Sequence, residues 1–308
     1  MKIIGINLWT IRLTLVKTTP VLLAALGGLH SERAGIANIA LEGMMLVSAF
    51  FAVVGSYFTG SALIGLLTGV GAGALMGFLL GFMAERLKGD QIVVGVAINL
   101  LALGLTGYLL ETIFGHPGNT PPVPKLPEIS IPIVEKLPFG YIFSGHHPIV
   151  YIAFLLVPIV HLEIYKTPWG LRLRSIGEKP VVADTLGINV ERVRIISTVI
   201  SGIFAGLGGV ALSLGELSLF AERMTAGRGY LALAALIFGK WTPVGVLLTT
   251  LFFGFVDAWQ EGLQGMFIEI PSEFFTMLPY LFSLIVLALF VKRIRPPASI
   301  GKPYIKPK

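Results

Sequence analysis

No cysteine occurs in the 308 residues, which excludes disulfides, thiolate metal sites and cysteine nucleophiles at once. Charge is the second shortage. Only 13% of the residues are Asp, Glu, Lys or Arg, about half of what a soluble domain of this length carries. Such a chain cannot coat itself against water, so most of its outer surface must face an apolar medium. Nucleotide-binding and hydrolytic signatures are missing as well. Gly239-Lys240 has Ala234 where the first glycine of a Gly-x-x-x-x-Gly-Lys-[Ser/Thr] loop would stand, so nothing cradles a triphosphate in the usual way. There is no His-Glu-x-x-His and no Gly-x-Ser-x-Gly. The five histidines suggest no metal site. His146 and His147 are adjacent, and neighbouring side chains on any element point apart. These absences argue against an enzyme.

What is present is apolar: 55% hydrophobic residues and a mean hydropathy of +0.84. The apolar residues fall in long runs, the pattern of helical spans and not of a barrel. Spans of about 20 residues fit at 8–28, 37–57, 61–84, 91–114, 148–165, 194–215, 228–239, 243–260 and 274–292. The expected fold is all-α, a polytopic bundle of about 8–10 spans, and residues 1–308 read as a single membrane domain. Arg12 and Lys17 interrupt the first apolar stretch and no small-residue cleavage site follows, so Met1–Gly28 does not read as a cleaved signal peptide. Segment 228–239 is too short to cross alone. It ends at Gly239-Lys240-Trp241-Thr242-Pro243, where Thr242 can cap and Pro243 can start a new helix. A broken or re-entrant helix is expected there, with its free backbone groups buried in protein or lining a cavity.

Two segments, 166–194 and 292–308, hold 12 of the 23 Lys and Arg residues. The bias of basic loops toward the cytoplasm places the 166–193 loop and the C-terminus on that side of a cell membrane. The +6 net charge therefore reads as topology and not as a nucleic-acid surface. Residues 116–147 are rich in proline, with Lys125 and Lys136 balanced by Glu128 and Glu135, and read as an external loop. Gly65, Gly69, Gly73, Gly77 and Gly81 recur every fourth residue, which forms one smooth stripe for close helix packing. Ala24-Ala25-Leu26-Gly27-Gly28 resembles Ala205-Gly206-Leu207-Gly208-Gly209, a faint internal pseudo-repeat of the kind from which transporter folds are built.

The 166–193 loop carries its own structural signals. Pro180 suits a first helical turn, Gly187 a C-terminal stop, and Val182 and Leu186 lie one turn apart. This predicts a short amphipathic helix between glycine-bounded turns, a rigid knob for a soluble partner to push.

The segment from Thr167 to Asn189 resembles the coupling loop of the permease superfamily that includes the branched-chain amino acid and ribose ATP-binding cassette (ABC) importers. Glu32-Arg-Ala-Gly-Ile-Ala-Asn-Ile-Ala-Leu-Glu-Gly-Met-Met45 is similar to a signature of the nucleoside permeases that work with lipoprotein receptors of the basic membrane protein family. Met224-Thr-Ala-Gly-Arg-Gly-Tyr-Leu-Ala-Leu-Ala-Ala-Leu-Ile-Phe-Gly-Lys-Trp-Thr-Pro243, followed by Phe253-Gly-Phe-Val-Asp-Ala-Trp-Gln260, is similar to their second-half signature. The chain departs from the pattern at Lys179 and at Trp241-Thr242. The resemblance implies an importer permease that forms a path for nucleosides or related small polar solutes. Its partners would be a cytoplasmic ABC ATPase, a second homologous permease, an extracellular lipoprotein receptor and membrane lipid. ATP and magnesium would be bound by the ATPase, so this chain would need no cofactor. Gly170, Leu171, Arg172, Arg174, Gly177, Glu178, Val182, Ala183, Leu186 and Gly187 would meet that ATPase.

Ionisable or amide groups inside spans are functional candidates by default. Asn38 and Glu42, one turn apart on the second segment, and Asn99 on the fourth are expected to line a translocation path. Amides and carboxylates there could hydrogen-bond ribose hydroxyls and base edges. The alternative is that they tie helices together. Arg228 and Asp257, placed near helix ends, read as structural. A secondary transporter driven by an ion gradient would also explain buried carboxylates and a broken helix, but not the cytoplasmic knob.

Overall fold

The computed structural model describes residues 7–135, 139–266, 271–290 and 295–306. Lys136, Lys292, Arg293 and Lys308 lie outside the described residues. Helices dominate: α1 (Leu8–Arg33), α2 (Leu41–Thr59), α3 (Ala62–Glu85), α4 (Gln91–Phe114), the single turn α5 (Pro132–Glu135), α6 (Pro148–Lys166), α7 (Pro168–Glu178), α8 (Pro180–Thr185), α9 (Val190–Val210), α10 (Arg228–Phe238), α11 (Pro243–Met266), α12 (Ser272–Thr276) and α13 (Leu278–Phe290). A 3₁₀ turn covers Gly140–Ile142, and α9 continues as a π-helix over Ala211–Leu217. Among the described residues, seven helices are long and apolar enough to cross a membrane. The shorter α10 and α13 complete the bundle.

Caps fall where the sequence has them. The Asn7 side chain accepts from the Thr10 N–H in a capping box, Asp90 accepts from the Ile92 and Val93 N–H groups, and Thr242 accepts from the Gly245 N–H. Charge sorts the bundle into two ends. The basic end gathers α7, α8 and the 295–306 tail; the loop end gathers the long connection between α4 and α6. α1 runs through the middle and is the most buried long helix, packed on α9 and α11.

The glycine stripe of α3 is a packing face. A Cβ on Gly73 would stand 2.4 Å from the Gly202 carbonyl oxygen, and one on Gly77 2.2 Å from that of Thr198. Backbone meets backbone there, so α3 lies against α9 as closely as helices can, while Gly65 and Gly69 meet α2 in the same way. The two halves of the pseudo-repeat face each other. Gly27 abuts Ser201, and Gly208 abuts the Pro20 carbonyl, so the matched stretches cross with opposite polarity.

The loop between α4 and α6 folds back over the end of α9. The N–H groups of Leu126, Val123 and Thr120 donate to the carbonyls of Leu214, Ser218 and Phe220. A helix end leaves carbonyls without intrahelical partners, and the proline-rich strand satisfies them.

Candidate functional site

At the basic end, the expected single knob is a pair of helices. α7 occupies Pro168–Glu178 and α8 Pro180–Thr185, so Gly170 and Gly177 are helical residues and not turn glycines. Their lack of a Cβ serves contact: a Cβ at Gly170 would stand 2.2 Å from the Ile164 carbonyl oxygen, and one at Gly177 2.1 Å from that of Arg33. Thr167 starts α7, its hydroxyl accepting from the Gly170 N–H. Gly187 does close α8, at φ +81°, the left-handed geometry that favours glycine. Val182 (52% exposed) and Leu186 (76%) point outward, whereas Ala183 (1%) is buried on Ile176, Val190, Val193 and Tyr304. Leu171, Arg172 and Glu178 are exposed, and the Arg174 guanidinium lies 5.2 Å from the Tyr165 ring centroid.

A buried ion pair holds this platform to the bundle. Arg194 is fully buried and is the largest such side chain. Its guanidinium donates to Glu85 Oε1 at 2.7 Å, to the Ala34 carbonyl at 2.9 Å, and to Ser299 Oγ and the Lys302 carbonyl at 3.3 Å. The 295–306 tail is thereby strapped across α7, where the Ser299 N–H donates to the Gly177 carbonyl and its hydroxyl to that of Ile176.

The second polar assembly surrounds the broken span. Lys240 (φ +53°) and Trp241 (φ +52°) are left-handed non-glycine residues, a strained turn that needs outside support. α1 supplies it. Arg33 donates to the Trp241 carbonyl, and the Trp241 indole donates to Glu32. At the other end of α10, Glu42 accepts from the N–H groups of Gly227 (2.8 Å) and Gly229 (2.6 Å). A carboxylate on two free N–H groups at a helix N-terminus is favourable on both hydrogen-bond and dipole grounds.

Asn38 does not share a helical face with Glu42. α2 begins only at Leu41, and Asn38 lies in the buried stretch between α1 and α2, donating to Ser201 Oγ at 2.7 Å. Asn99 is buried too. Its amide donates to the Ile39 carbonyl (2.9 Å) and the Tyr230 hydroxyl (3.1 Å), and its oxygen accepts from the Gly43 N–H (2.8 Å). One side chain thus joins α4, the α1–α2 connection, α2 and α10. Replacing Asn99 by Leu is expected to orphan the Gly43 N–H and the Ile39 carbonyl, at about 1–3 kcal/mol each, and to lower the yield and melting temperature of the purified protein. A variant with wild-type melting would remove Asn99 from this tie.

Arg228 and Asp257 pair with each other at 3.7 Å. Because α11 runs on to Met266, Asp257 sits farther inside its helix than the apolar run suggests. Lys17 is bracketed by Glu216 at 3.5 Å and Glu261 at 3.2 Å. Sequence reading noted Lys17 only as an interruption of an apolar run. That interruption was the available signal for this cluster, which needs α1, the π-helix and α11 together. Among the described residues, no group of three or more His, Asp or Glu is placed to hold a metal ion.

At the loop end, burial pushes the His147 imidazole down to about 4, helped by His146 and opposed by Glu128. The folded value lies below that of a free imidazole, so the unfolded chain takes up the proton first. Stability from this group is complete above pH ~6.5 and is lost as the pH falls toward 4, on the order of 3 kcal/mol in all. Melting in detergent at pH 7 and pH 5 should show the drop, and His147→Phe should flatten it.

A bundle of membrane-crossing helices with a broken span and a paired-helix platform at its basic end defines a membrane permease subunit. Residues 10–291 match the branched-chain amino acid transport system permease component family, and the chain belongs to it; it is a transport subunit and not an enzyme. The chain is 39% identical to a guanosine ABC transporter permease protein (NupQ) of Bacillus subtilis, with 100% of both chains covered. It is 37% identical to a nucleoside ABC transporter permease protein (NupC) of Lactococcus lactis over 96% of each. A second guanosine ABC transporter permease protein of Bacillus subtilis (NupP) is 30% identical over 84% of this chain and 76% of that one. The fold is also that of a solved inward-facing ABC transporter assigned to the metal-chelate type, with a TM-score of 0.52, 18% identity, and 93% of this chain and 86% of that one covered.

Proposed function

We propose that this chain conducts nucleosides through a cell membrane as one of two homologous permease subunits, driven by a separate ABC ATPase. The observation that carries the substrate class is end-to-end similarity to permeases named for guanosine and nucleosides. Two different guanosine permeases in one organism support a pore built from unlike subunits. Apolar side chains left exposed on α3 and α4, among them Leu67, Leu75, Val93 and Leu100, supply surface for lipid and for the second subunit.

The basic end is cytoplasmic in this reading, and α7–α8 meets the ATPase, which holds ATP and magnesium. Val182 and Leu186 offer it apolar contact, Arg172 and Arg174 charge. The loop end meets an external lipoprotein receptor. Asn38, Glu42 and Asn99 act on the path indirectly, by fixing α10 and its two breaks. A second reading, a path for hexoses, is favoured by one relative: a chain of Haloferax volcanii named for glucose transport is 36% identical over 82% of this chain and 77% of that one.

Uptake of labelled guanosine, other nucleosides and glucose by the reconstituted complex tests the substrate. Saturable, ATP-dependent guanosine uptake is expected, and its absence beside glucose uptake would replace this reading by the second. Orientation is tested by single cysteines on this cysteine-free chain. Ser130 and Thr185 are both exposed, and an impermeant reagent outside intact cells should label Ser130→Cys and spare Thr185→Cys.

A further inference from the structure

A cavity of about 350 Å³ opens at the loop end, lined among others by Arg12, Lys17, Glu128, His147, Gly215 and Glu216. Its size falls in the roughly 300–1,000 Å³ range of small-molecule sites. Its floor is the π-helix that ends α9, a wide helical turn that occurs frequently at functional sites. Gly215 lets this turn lie flat against the imidazole of His147, since a Cβ there would stand 2.7 Å from the ring.

Lys17 and the two acids lining the cavity are already in ion pairs. Lys17 lies between Glu216 and Glu261. Arg12 donates to the Gly145 carbonyl at 2.9 Å and lies 4.3 Å from the Tyr141 ring centroid. Glu128 accepts from Lys125 at 2.8 Å. What is unmatched is hydrogen-bonding capacity. Both ring nitrogens of His147, which is 5% exposed, and Oε1 of Glu216 have no hydrogen-bond partner among the described residues. Each such buried atom costs about 1–3 kcal/mol of stability, so the fold gains nothing from keeping them.

We propose that this cavity is a solute site of the permease, receiving a neutral molecule with vicinal hydroxyls and a polar ring as it leaves the external receptor. The proposal rests on the nucleoside reading and deepens it. Glu216 Oε1 accepts from a ribose hydroxyl, and the neutral His147 ring offers one donor and one acceptor to the base edge or to a second hydroxyl. Glu216 and Glu128 share the lining with Arg12 and Lys17, so a charged solute meets no excess of the opposite sign there, and a neutral one is favoured. A hydrogen bond to a carboxylate already paired with Lys17 and one to a neutral ring hold the solute weakly, which a site that must pass its occupant onward requires.

The test uses the complete transporter, with ATPase and receptor, in proteoliposomes. Glu216→Gln leaves Lys17 paired with Glu261, so the fold is retained. Guanosine uptake is expected to fall about tenfold, the effect of exchanging a hydrogen bond to a carboxylate for one to a neutral amide oxygen. Discrimination between guanosine and 2′,3′-dideoxyguanosine should shrink with it. His147→Phe keeps the ring and removes both orphaned nitrogens; uptake should fall while the yield of assembled complex holds or rises. Wild-type uptake and wild-type discrimination in both variants would overturn the proposal, as would a more stable His147→Phe complex that transports normally. A wild-type complex that imports glucose and no nucleoside would instead overturn the nucleoside reading. The same variants measured with labelled glucose, whose hydroxyls also suit Glu216, would then decide the cavity's role separately.

Discussion

Arg194→Leu is expected to destabilise the permease by roughly 3–5 kcal/mol, the cost of breaking a buried ion pair from one side. The Glu85 carboxylate would remain fully buried with, among the described residues, only Lys88 at 3.9 Å to answer it. Three further acceptors, the Ala34 and Lys302 carbonyls and Ser299 Oγ, would lose the same guanidinium. The loss should be localised as well as global. Without Arg194 the 295–306 strap has lost its anchor, and Tyr304 no longer braces Ile176 and Ala183. Limited chymotryptic digestion should therefore cut after Tyr304, which is buried in the parent, in the variant and not in the parent. Pairing Arg194→Leu with Glu85→Leu should recover part of the stability, because the orphaned charge is gone, but not the protection of the tail. A single variant that melts like the parent with an uncut tail would show that the pair does not hold the strap.

Val182→Asp combined with Leu186→Asp is expected to detach the ATPase from a permease that is itself intact. Both side chains are exposed in the isolated chain, so the variant should fold and insert normally. In the assembled transporter each is proposed to fill an apolar contact on the ATPase. A well-packed interface anchor contributes about 2 kcal/mol, or roughly thirtyfold in affinity, and a buried carboxylate in its place costs more. Co-purification of the ATPase and solute-stimulated hydrolysis should both collapse. Ala183→Asp would lower co-purification for a different reason: Ala183 is buried under α8, so that variant should also lower the permease's own melting temperature. Unchanged stimulation in the double variant would mean that the ATPase docks elsewhere.

Most of the fold was legible as one-dimensional pattern. Run length gave the spans, a four-residue glycine period gave the packing face of α3, and Thr242-Pro243 marked the restart after the broken helix. Such features depend on near neighbours along the chain, where helical geometry turns spacing directly into position. Turn-level details were less secure. The 166–193 loop read as one short helix between glycine-bounded turns, yet Gly170 and Gly177 are helical residues at close backbone crossings, because a glycine serves either purpose and only its contacts tell which. Asn38 was assigned to a helix on apolar continuity, but α2 starts at Leu41, since Asn38 finds a partner on α9 in place of a helical neighbour.

By itself, then, the sequence determined the class of molecule, its spans, its basic platform and its family resemblance, all properties of composition and local order. Only the tertiary structure decided what the polar residues do. Glu42 caps a helix 185 positions away, Arg194 meets Glu85 across 109, and Lys17 joins two acids from different helices. In an apolar medium each buried polar group must find a partner wherever packing brings one near, and spacing along the chain carries no record of that choice.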